Sequence, residues 1–436
     1  MQTLSRVLLY SLAVSLVSAG ASANQALFDA TRNCKVDDVK NIIKNDSTAN
    51  TEFVENGYTP LMVSAYGYCE AKAVEIAALL IGAKADVNAM CLIKDRFGYA
   101  GASPLIMTTI EPPQTFAPIA KGIFAARIEI ANMLIKAGAQ LEQRNALGET
   151  ALLSVMRERS STNFGVYFRE ILQVLLGAGA DANAVNEKYS YVNSTCENPL
   201  FCAIRYKHPT FVKPLIDAGA RVNKINPADP IPKSPLGYLA AQDSEGSKYA
   251  YRLDIAKQLI AAGAHLKDAD LLEETAREGN TTLVELLISE GAAIGDALGK
   301  ALSTRFIYRN SPQSLRLDKT ILILIQLGAP ITENELYDAV KIQAPNLVDT
   351  ILATGFRSNG ASVSAAISVK NLDLMNRILK TKPSLVSTIK LYEEVNTHYQ
   401  IQLIPPLYAA MIGDFFEAVP LLLQAGANPN TPIDPG

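Results

Sequence analysis

The 436-residue sequence has no tryptophan and only three histidines, His208, His265 and His398. A histidine-rich metal site therefore has too few ligands, and a histidine-based catalytic network has few members to draw on. Five cysteines in so long a chain do not make a disulfide-dense scaffold. Basic residues number 40 against 43 acidic ones, so the basic excess of a nucleic-acid binder is missing. No GxSxG, HExxH, Walker A, GxGxxG or CxxC stretch occurs. The adjacent carboxylates Asp37-Asp38, Glu273-Glu274 and Glu393-Glu394 are sequence neighbours, and on a helix such neighbours do not face each other. They read as solvated faces. No catalytic residue, metal or cofactor is expected. What is present is apolar: 49% hydrophobic against 19% charged residues, which excludes a disordered chain.

The N-terminus reads as a secretory signal over residues 1–23. Arg6 supplies the positive region, Val7 to Val17 the apolar core, and Ala21-Ser22-Ala23 the cleavage site. Eleven residues are too few to span about 30 Å of hydrocarbon as a helix, which favours cleavage over an uncleaved anchor. No later apolar run approaches 18 residues without Gly, Pro or charge. The mature chain is expected to be periplasmic or secreted, with no membrane insertion.

One phrase recurs along the rest: aliphatic residues, a short link, then Gly-Ala. It appears as LIKAGAQLE, LLGAGADAN, LIDAGARVN, LIAAGAHLK, LISEGAAIG and LLQAGANPN. The glycine slot falls at Gly138, Gly179, Gly219, Gly263, Gly291, Gly328, Gly355 and Gly426, and weaker copies put Asp46, Lys84 and Lys382 there. A helix that ends on a residue with φ > 0 favours Gly, so the three other residues should be strained or end their helices differently. The starts recur too: Thr59-Pro60-Leu61, Ser103-Pro104-Leu105, Asn198-Pro199-Leu200 and Ser234-Pro235-Leu236, with Thr150-Ala151-Leu152 and Pro405-Pro406-Leu407 as looser copies. A polar N-cap followed by Pro at the first helical position is a helix-start signal.

This start and stop together resemble the ankyrin-repeat family over about residues 25 to 431. The resemblance implies an all-α fold, an α-solenoid of about eleven ankyrin-type helix pairs, with β-turn fingers mainly in the N-terminal half. The family usually has His after the Pro-Leu pair; here Met62, Ile106, Phe201, Gly237 and Tyr408 stand there. The glycine slots are spaced from 27 to 54 residues apart, against a family period near 33. Spacings of 27 and 28 leave no room for a finger. The longest contain extra residues, either in fingers (89–102, 184–197, 387–404) or between the helices of a pair (111–122, 157–168, 242–251, 305–316). The expected organisation is a signal (1–23), a capping repeat (24–56), repeats with long fingers and insertions (57–267), short finger-poor repeats (268–385), and a finger with a last repeat and tail (386–436). The first repeat looks like a polar cap, with Asp29, Arg32, Lys35, Asp37, Asp38 and Lys40. The last, with Tyr408, Met411, Phe415 and Phe416, follows an internal pattern and predicts an apolar C-terminal edge open to self-association.

Cys34 and Cys69 lie in equivalent turns of consecutive repeats, which places them for a disulfide. Cys196 and Cys202 either close a short loop, or Cys202 fills a core slot. Cys91 is left over as a free thiol or an intermolecular contact. The resemblance implies protein binding through first helices and fingers. The contact candidates are Leu92, Ile93, Lys94, Arg96, Phe97 and Tyr99 in one finger, Arg144 in the next, and Lys188, Tyr189 and Tyr191 in a third. Alternatively, Leu92, Ile93 and Phe97 pack on the insertion near residues 112–124. The expected partner is another protein, as the target of an inhibitor, immunity protein or stabiliser, or as a host protein bound by a secreted effector. An enzyme with an unrecognised site is the remaining class.

Overall fold

The structure, a computed structural model, describes residues 25–45, 57–92, 100–110, 120–156, 165–186, 188, 197–223, 233–241, 249–268, 270–309, 311–358, 360–383, 385, 389–395 and 398–431. The chain divides into two compact units, Met1–Pro235 and Leu236–Gly436. Each is a stack of antiparallel helix pairs, and the second also carries one two-stranded hairpin.

In the first unit, residues 25–32 (α1) pair with Val36–Asn45 (α2), Pro60–Ala65 (α3) with Ala71–Gly82 (α4), and Pro104–Thr109 (α5) with Ala120–Lys136 (α6). Ala151–Met156 (α7) and Gly165–Gly177 (α8) follow, then Pro199–Arg205 (α9) and Pro209–Asp217 (α10). Pro235–Ala240 (α11) and Tyr249–Ala261 (α12) stand at the start of the second unit. Its further pairs are Asp270–Arg277 (α13) with Thr281–Ser289 (α14), Ala297–Ile307 (α15) with Gln313–Gln326 (α16), and Glu333–Lys341 (α17) with Pro345–Ala353 (α18). Ala361–Ser368 (α19) pairs with Leu372–Leu379 (α20), and Pro406–Ile412 (α21) with Ala418–Gln424 (α22). First helices pack on first helices (α3 on α5, α5 on α7, α13 on α15, α15 on α17) and second helices on second helices (α4 on α6, α14 on α16). The core thus lies between consecutive pairs as well as within each. Among the described residues no helix is long and apolar enough to cross a membrane.

The starts behave as their sequence dictates. Thr59, Ser103, Thr150 and Asn198 each accept a backbone N–H three residues on, at 3.0–3.4 Å. At the first start, where the family has His, the Met62 thioether sulfur accepts the Thr59 N–H at 3.5 Å, a weak closure of the same box. In the first unit α3, α5, α7 and α9 are short and almost wholly buried. Their hydroxyls satisfy themselves on their own backbone: Ser64, Thr108 and Thr109 donate to carbonyls three residues back at 2.7–2.8 Å.

The stops also hold. Gly138 has φ 93°, and Ala139 N–H closes on Leu134 O at 2.9 Å, a Schellman turn. Lys84 copies that geometry with a side chain, at φ 65°, and Ala85 N–H closes on Leu80 O at 3.0 Å; Lys382 has φ 54°. Asp46 lies outside the described residues. The asparagine after the stop clips consecutive pairs together. Asn88 donates to Gly138 O (3.2 Å) and accepts from Gln140 N (2.8 Å), and Asn183 does the same with Gly219 O (2.9 Å) and Arg221 N (2.9 Å).

Fingers join the N-terminal pairs and bond to one another. Cys91 and Ala102 close one stem (3.0 Å), while Leu92 N–H reaches Gly57 O (3.1 Å) and Ala146 N–H reaches Ala100 O (2.7 Å) in neighbouring fingers. The finger in 387–404 is a two-stranded antiparallel hairpin, β1 (Ile389–Val395) with β2 (His398–Ile404), in register from Ile389 opposite Ile404 to Val395 opposite His398. One insertion differs from expectation. Residues 305–316 are not a loop between helices; α15 continues to Ile307 and α16 begins at Gln313, so the extra length makes both helices longer.

The first and last helix pairs match their sequences. Asp29, Arg32, Lys35, Asp37, Asp38 and Lys40 are exposed around a small core of Leu27, Phe28 and Val39. At the other end Met411, Ile412, Phe416 and Leu423 are exposed, Phe416 at 61%. Cys34 and Cys69 form a disulfide, with Cα atoms 5.5 Å apart. Cys202 is also disulfide-bonded, while Cys196 lies outside the described residues. Cys91 takes no part in a disulfide and is buried, which removes it as an intermolecular contact.

Two outcomes are expected. Lys84→Gly raises stability by about 0.5–1 kcal/mol, read as a higher urea midpoint, since it relieves a left-handed side-chain residue and the slot has open exposure. Cys34→Ser with Cys69→Ser lowers the stability of the first unit by about 2–4 kcal/mol, because the bridge closes a loop of 35 residues. An unchanged urea midpoint in either variant contradicts the corresponding account.

Candidate protein-binding surface

The first two helix pairs enclose a groove of about 320 Å³ between α1, α3 and the residues just before and after α3. Phe28 and Met62 are buried and form its floor; Arg32, Tyr58 and Tyr68 stand at its rim, with Tyr66 in the wall. Each side chain is placed by a local rule. Phe28 lies on the buried face of α1. Tyr58 directly precedes the Thr59 cap, and Met62 is held by its bond to that cap. Tyr66 and Tyr68 follow the end of α3, around Gly67 at φ 71°. A Cβ at Gly67 would lie 2.9 Å from Arg127 Cγ and 3.0 Å from Ile123 O, so the approach of α6 demands glycine there.

Arg127 explains why the wall is stiff. Among the described residues it is the largest fully buried side chain, and it donates Nε to Tyr66 O (2.8 Å) and Nη1 to Ile110 O (2.6 Å). Its guanidinium also lies 4.9 Å from the centre of the Tyr66 ring. A cation stacked on the ring and bonded to the same residue's carbonyl fixes both ends of Tyr66. Tyr68 packs on Tyr66 with ring centres 4.7 Å apart. The Cys34–Cys69 bridge ties together the two pairs that frame the groove. The groove walls are therefore held in place by contacts from outside the groove.

The sequence-chosen contact residues are distributed unevenly. Leu92 is 64% exposed, and its backbone N–H bonds Gly57 O, next to Tyr58, which sets Leu92 beside the groove. Met90, two residues earlier, is exposed as well. Arg144 donates to Gly148 O (2.7 Å) within its own finger, and Lys188 donates Nζ to Ala146 O (3.3 Å) in the neighbouring one. Those two side chains brace fingers. Ile93, Lys94, Arg96, Phe97, Tyr99, Tyr189 and Tyr191 lie outside the described residues. The groove itself was not foreseen. A signal existed in the sequence: three tyrosines, at 58, 66 and 68, flank one Pro-Leu start.

The remaining titratable groups are explained by their neighbours. His208 precedes α10 and packs on Phe211, with ring centres 4.9 Å apart, and His265 is exposed after a Gly-Ala stop. Glu333 accepts from Ser358 Oγ (2.6 Å), Ser362 N (2.7 Å) and Ser362 Oγ (2.6 Å), so α17 caps the start of α19. Lys341 donates to Ser368 Oγ at 2.7 Å, and burial lowers its pKa. Burial, then the charge of Glu335, raises the Asp338 carboxyl above the ordinary carboxylate value. Among the described residues no group of three or more His, Cys, Asp or Glu is placed to hold a metal.

Residues 56–91 match the ankyrin-repeat family model. They comprise α3, α4 and the groove residues Tyr58, Met62, Tyr66 and Tyr68. Comparison with curated proteins finds no match. Among solved structures, the chain is similar to an ankyrin repeat domain from Acinetobacter baumannii AYE, at 26% identity, with 55% of this chain and 98% of that one covered and a TM-score of 0.39. It is also similar to the ankyrin repeat domain of Bcl-3, a member of the IkappaB family, at 20% identity, with 56% and 88% covered and a TM-score of 0.40.

The raised Asp338 pKa gives a signed expectation. A carboxyl titrating above its unfolded value contributes stability that is present at low pH and lost as pH rises through the folded value. Asp338→Asn should therefore unfold at higher urea than the parent at neutral pH, with the gap closing at about pH 3. A gap that is constant with pH, or reversed in sign, contradicts burial as the cause.

Proposed function

We propose that the protein is an exported scaffold that grips another exported protein, as an inhibitor, an immunity protein or a stabiliser. The observation that carries this reading is the rigid aromatic groove of Phe28, Arg32, Tyr58, Met62, Tyr66 and Tyr68. Tyrosine, arginine and methionine in a partly buried pocket are the chemistry of binding hot spots. The finger beside it extends the contact with exposed Met90 and Leu92. In this reading Ile93, Lys94, Arg96, Phe97 and Tyr99 of the same finger continue the surface, and Tyr189 and Tyr191 add to it from a later one. Export is supported by the signal-like first 23 residues and by the Cys34–Cys69 bridge, which persists only where thiols are oxidised.

The test replaces Arg32, Tyr58 and Tyr68 together by Ala. These side chains stand at the rim, so the thermal transition should move little. Affinity for the protein captured by the parent chain from the exported fraction should fall at least about 100-fold. Capture that is equal for parent and variant rules out this groove. Mass measurement of the exported chain checks the compartment: the expected product begins at Asn24 and has Cys34 and Cys69 oxidised.

A further inference from the structure

In the second unit, one helix pair is longer than its neighbours. Helices α13, α14, α17 and α18 have eight or nine residues each, whereas α15 has 11 and α16 has 14. Stacking needs only the shorter length: on α15 the buried residues end at Leu302 and Thr304, and on α16 they begin at Leu317. The surplus forms a tip. It carries Phe306, Ile307, Tyr308 and Leu315, all exposed, with Ile307 at 72% and Leu315 at 69%. A single exposed apolar side chain is ordinary, but four within ten residues on one projecting tip form a patch that calls for a cover.

The tip is also basic. Residues 303–319 hold Arg305, Arg309, Arg316 and Lys319 against Asp318 alone, in a chain of formal charge −3. Arg305 is engaged by Asp318 at 2.7 Å, which pins the base of the tip. Arg309 lies 5.1 Å over the Phe306 ring, so cation and apolar face are presented together. A cleft of about 380 Å³ opens beside them, lined by Arg277, Thr304, Ile307, Tyr308 and Arg316, with Glu278 as its one carboxylate. A cleft of that size takes one or two large side chains and is the wrong form for a flat lipid surface.

The same chain holds a surface of the opposite kind. At the last helix pair, Met411, Ile412 and Phe416 are exposed, and the carboxylates Asp414 and Glu417 stand exposed among them. It is acidic where the tip is basic, and both are apolar. We propose that the α15–α16 tip receives the C-terminal edge of a second copy of this chain, with Phe416 entering the cleft and Asp414 and Glu417 facing Arg309 and Arg316. Two different surfaces meet, so the contact is head-to-tail: each copy offers a tip and an edge, and association continues past the dimer unless it closes into a ring. The contact is small and its charges are exposed, so it is weak and salt-sensitive. It is independent of the N-terminal groove.

Sedimentation of the mature chain over about 1–200 µM at low salt reads the proposal, since interfaces at the small end of the size scale associate in that range. The weight-average mass should rise with concentration, and added salt should reduce the rise. Arg309→Glu with Arg316→Glu should weaken association at least about tenfold, as should Asp414→Lys with Glu417→Lys. Lysine already occupies the matching left-handed turns at Lys207 and Lys370, so the fold accepts it at position 414. Both reversals in one chain should restore association, because the signs again oppose. Ile307→Ser with Leu315→Ser removes the apolar half without touching charge and should abolish the rise. A parent chain that stays monomeric throughout, or association that either single reversal leaves intact, overturns the proposal. So does binding of the tip to anionic vesicles with no self-association.

Discussion

A helix of six residues, such as Pro60–Ala65, is about 9 Å long and makes too few backbone bonds to persist alone. Its leucine and methionine become buried only when a second helix lies behind it and another pair lies beside it. Every other feature is arranged around that dependence. The capping hydroxyls and prolines reduce what must be gained from packing, by satisfying or removing N–H groups at the start. The left-handed exits turn the chain back at a fixed place, so that the next pair arrives in register. The asparagine clips at Asn88 and Asn183 then join the exit of one pair to the exit of the next through the main chain.

The groove is a local product of the same rules. Its floor comes from core positions of α1 and α3, and its rim from residues that the cap and the exit force outward. What distinguishes this place from the corresponding place in other pairs is the stiffening from outside. Arg127 reaches from α6 to hold Tyr66 by ring and carbonyl, and the disulfide bolts the capping pair to its neighbour. Rigid aromatic walls convert contact into affinity, where the same residues on a loose loop would lose much of it to ordering.

The helix pairs were legible because their signals are local. Thr59-Pro60-Leu61 and the Gly138-type stops specify caps and turns within a few residues. The Cys34–Cys69 bridge was legible too, because equivalent turns of stacked repeats must be neighbours. The groove was not, since it depends on Arg127 meeting Tyr66 across 61 positions, and no periodic pattern encodes that pairing. Arg144 and Lys188 are exposed and also donate to finger carbonyls, whose placement the sequence does not spell out. Residues 305–316 read as extra length between the helices of a pair; the spacing carries no sign that the surplus would lengthen the helices themselves, to Ile307 on α15 and from Gln313 on α16.

The fingers of the first unit bond to one another as well as to themselves, through Leu92 to Gly57 and Ala146 to Ala100. Consecutive pairs there are connected along two parallel lines, one of helix packing and one of peptide hydrogen bonds. Where the glycine slots are only 27 or 28 residues apart, the second line has no chain to make it, and a side chain such as Glu333 bridges instead. A stack joined along two lines resists twisting, while one joined along a single line bends like a leaf spring.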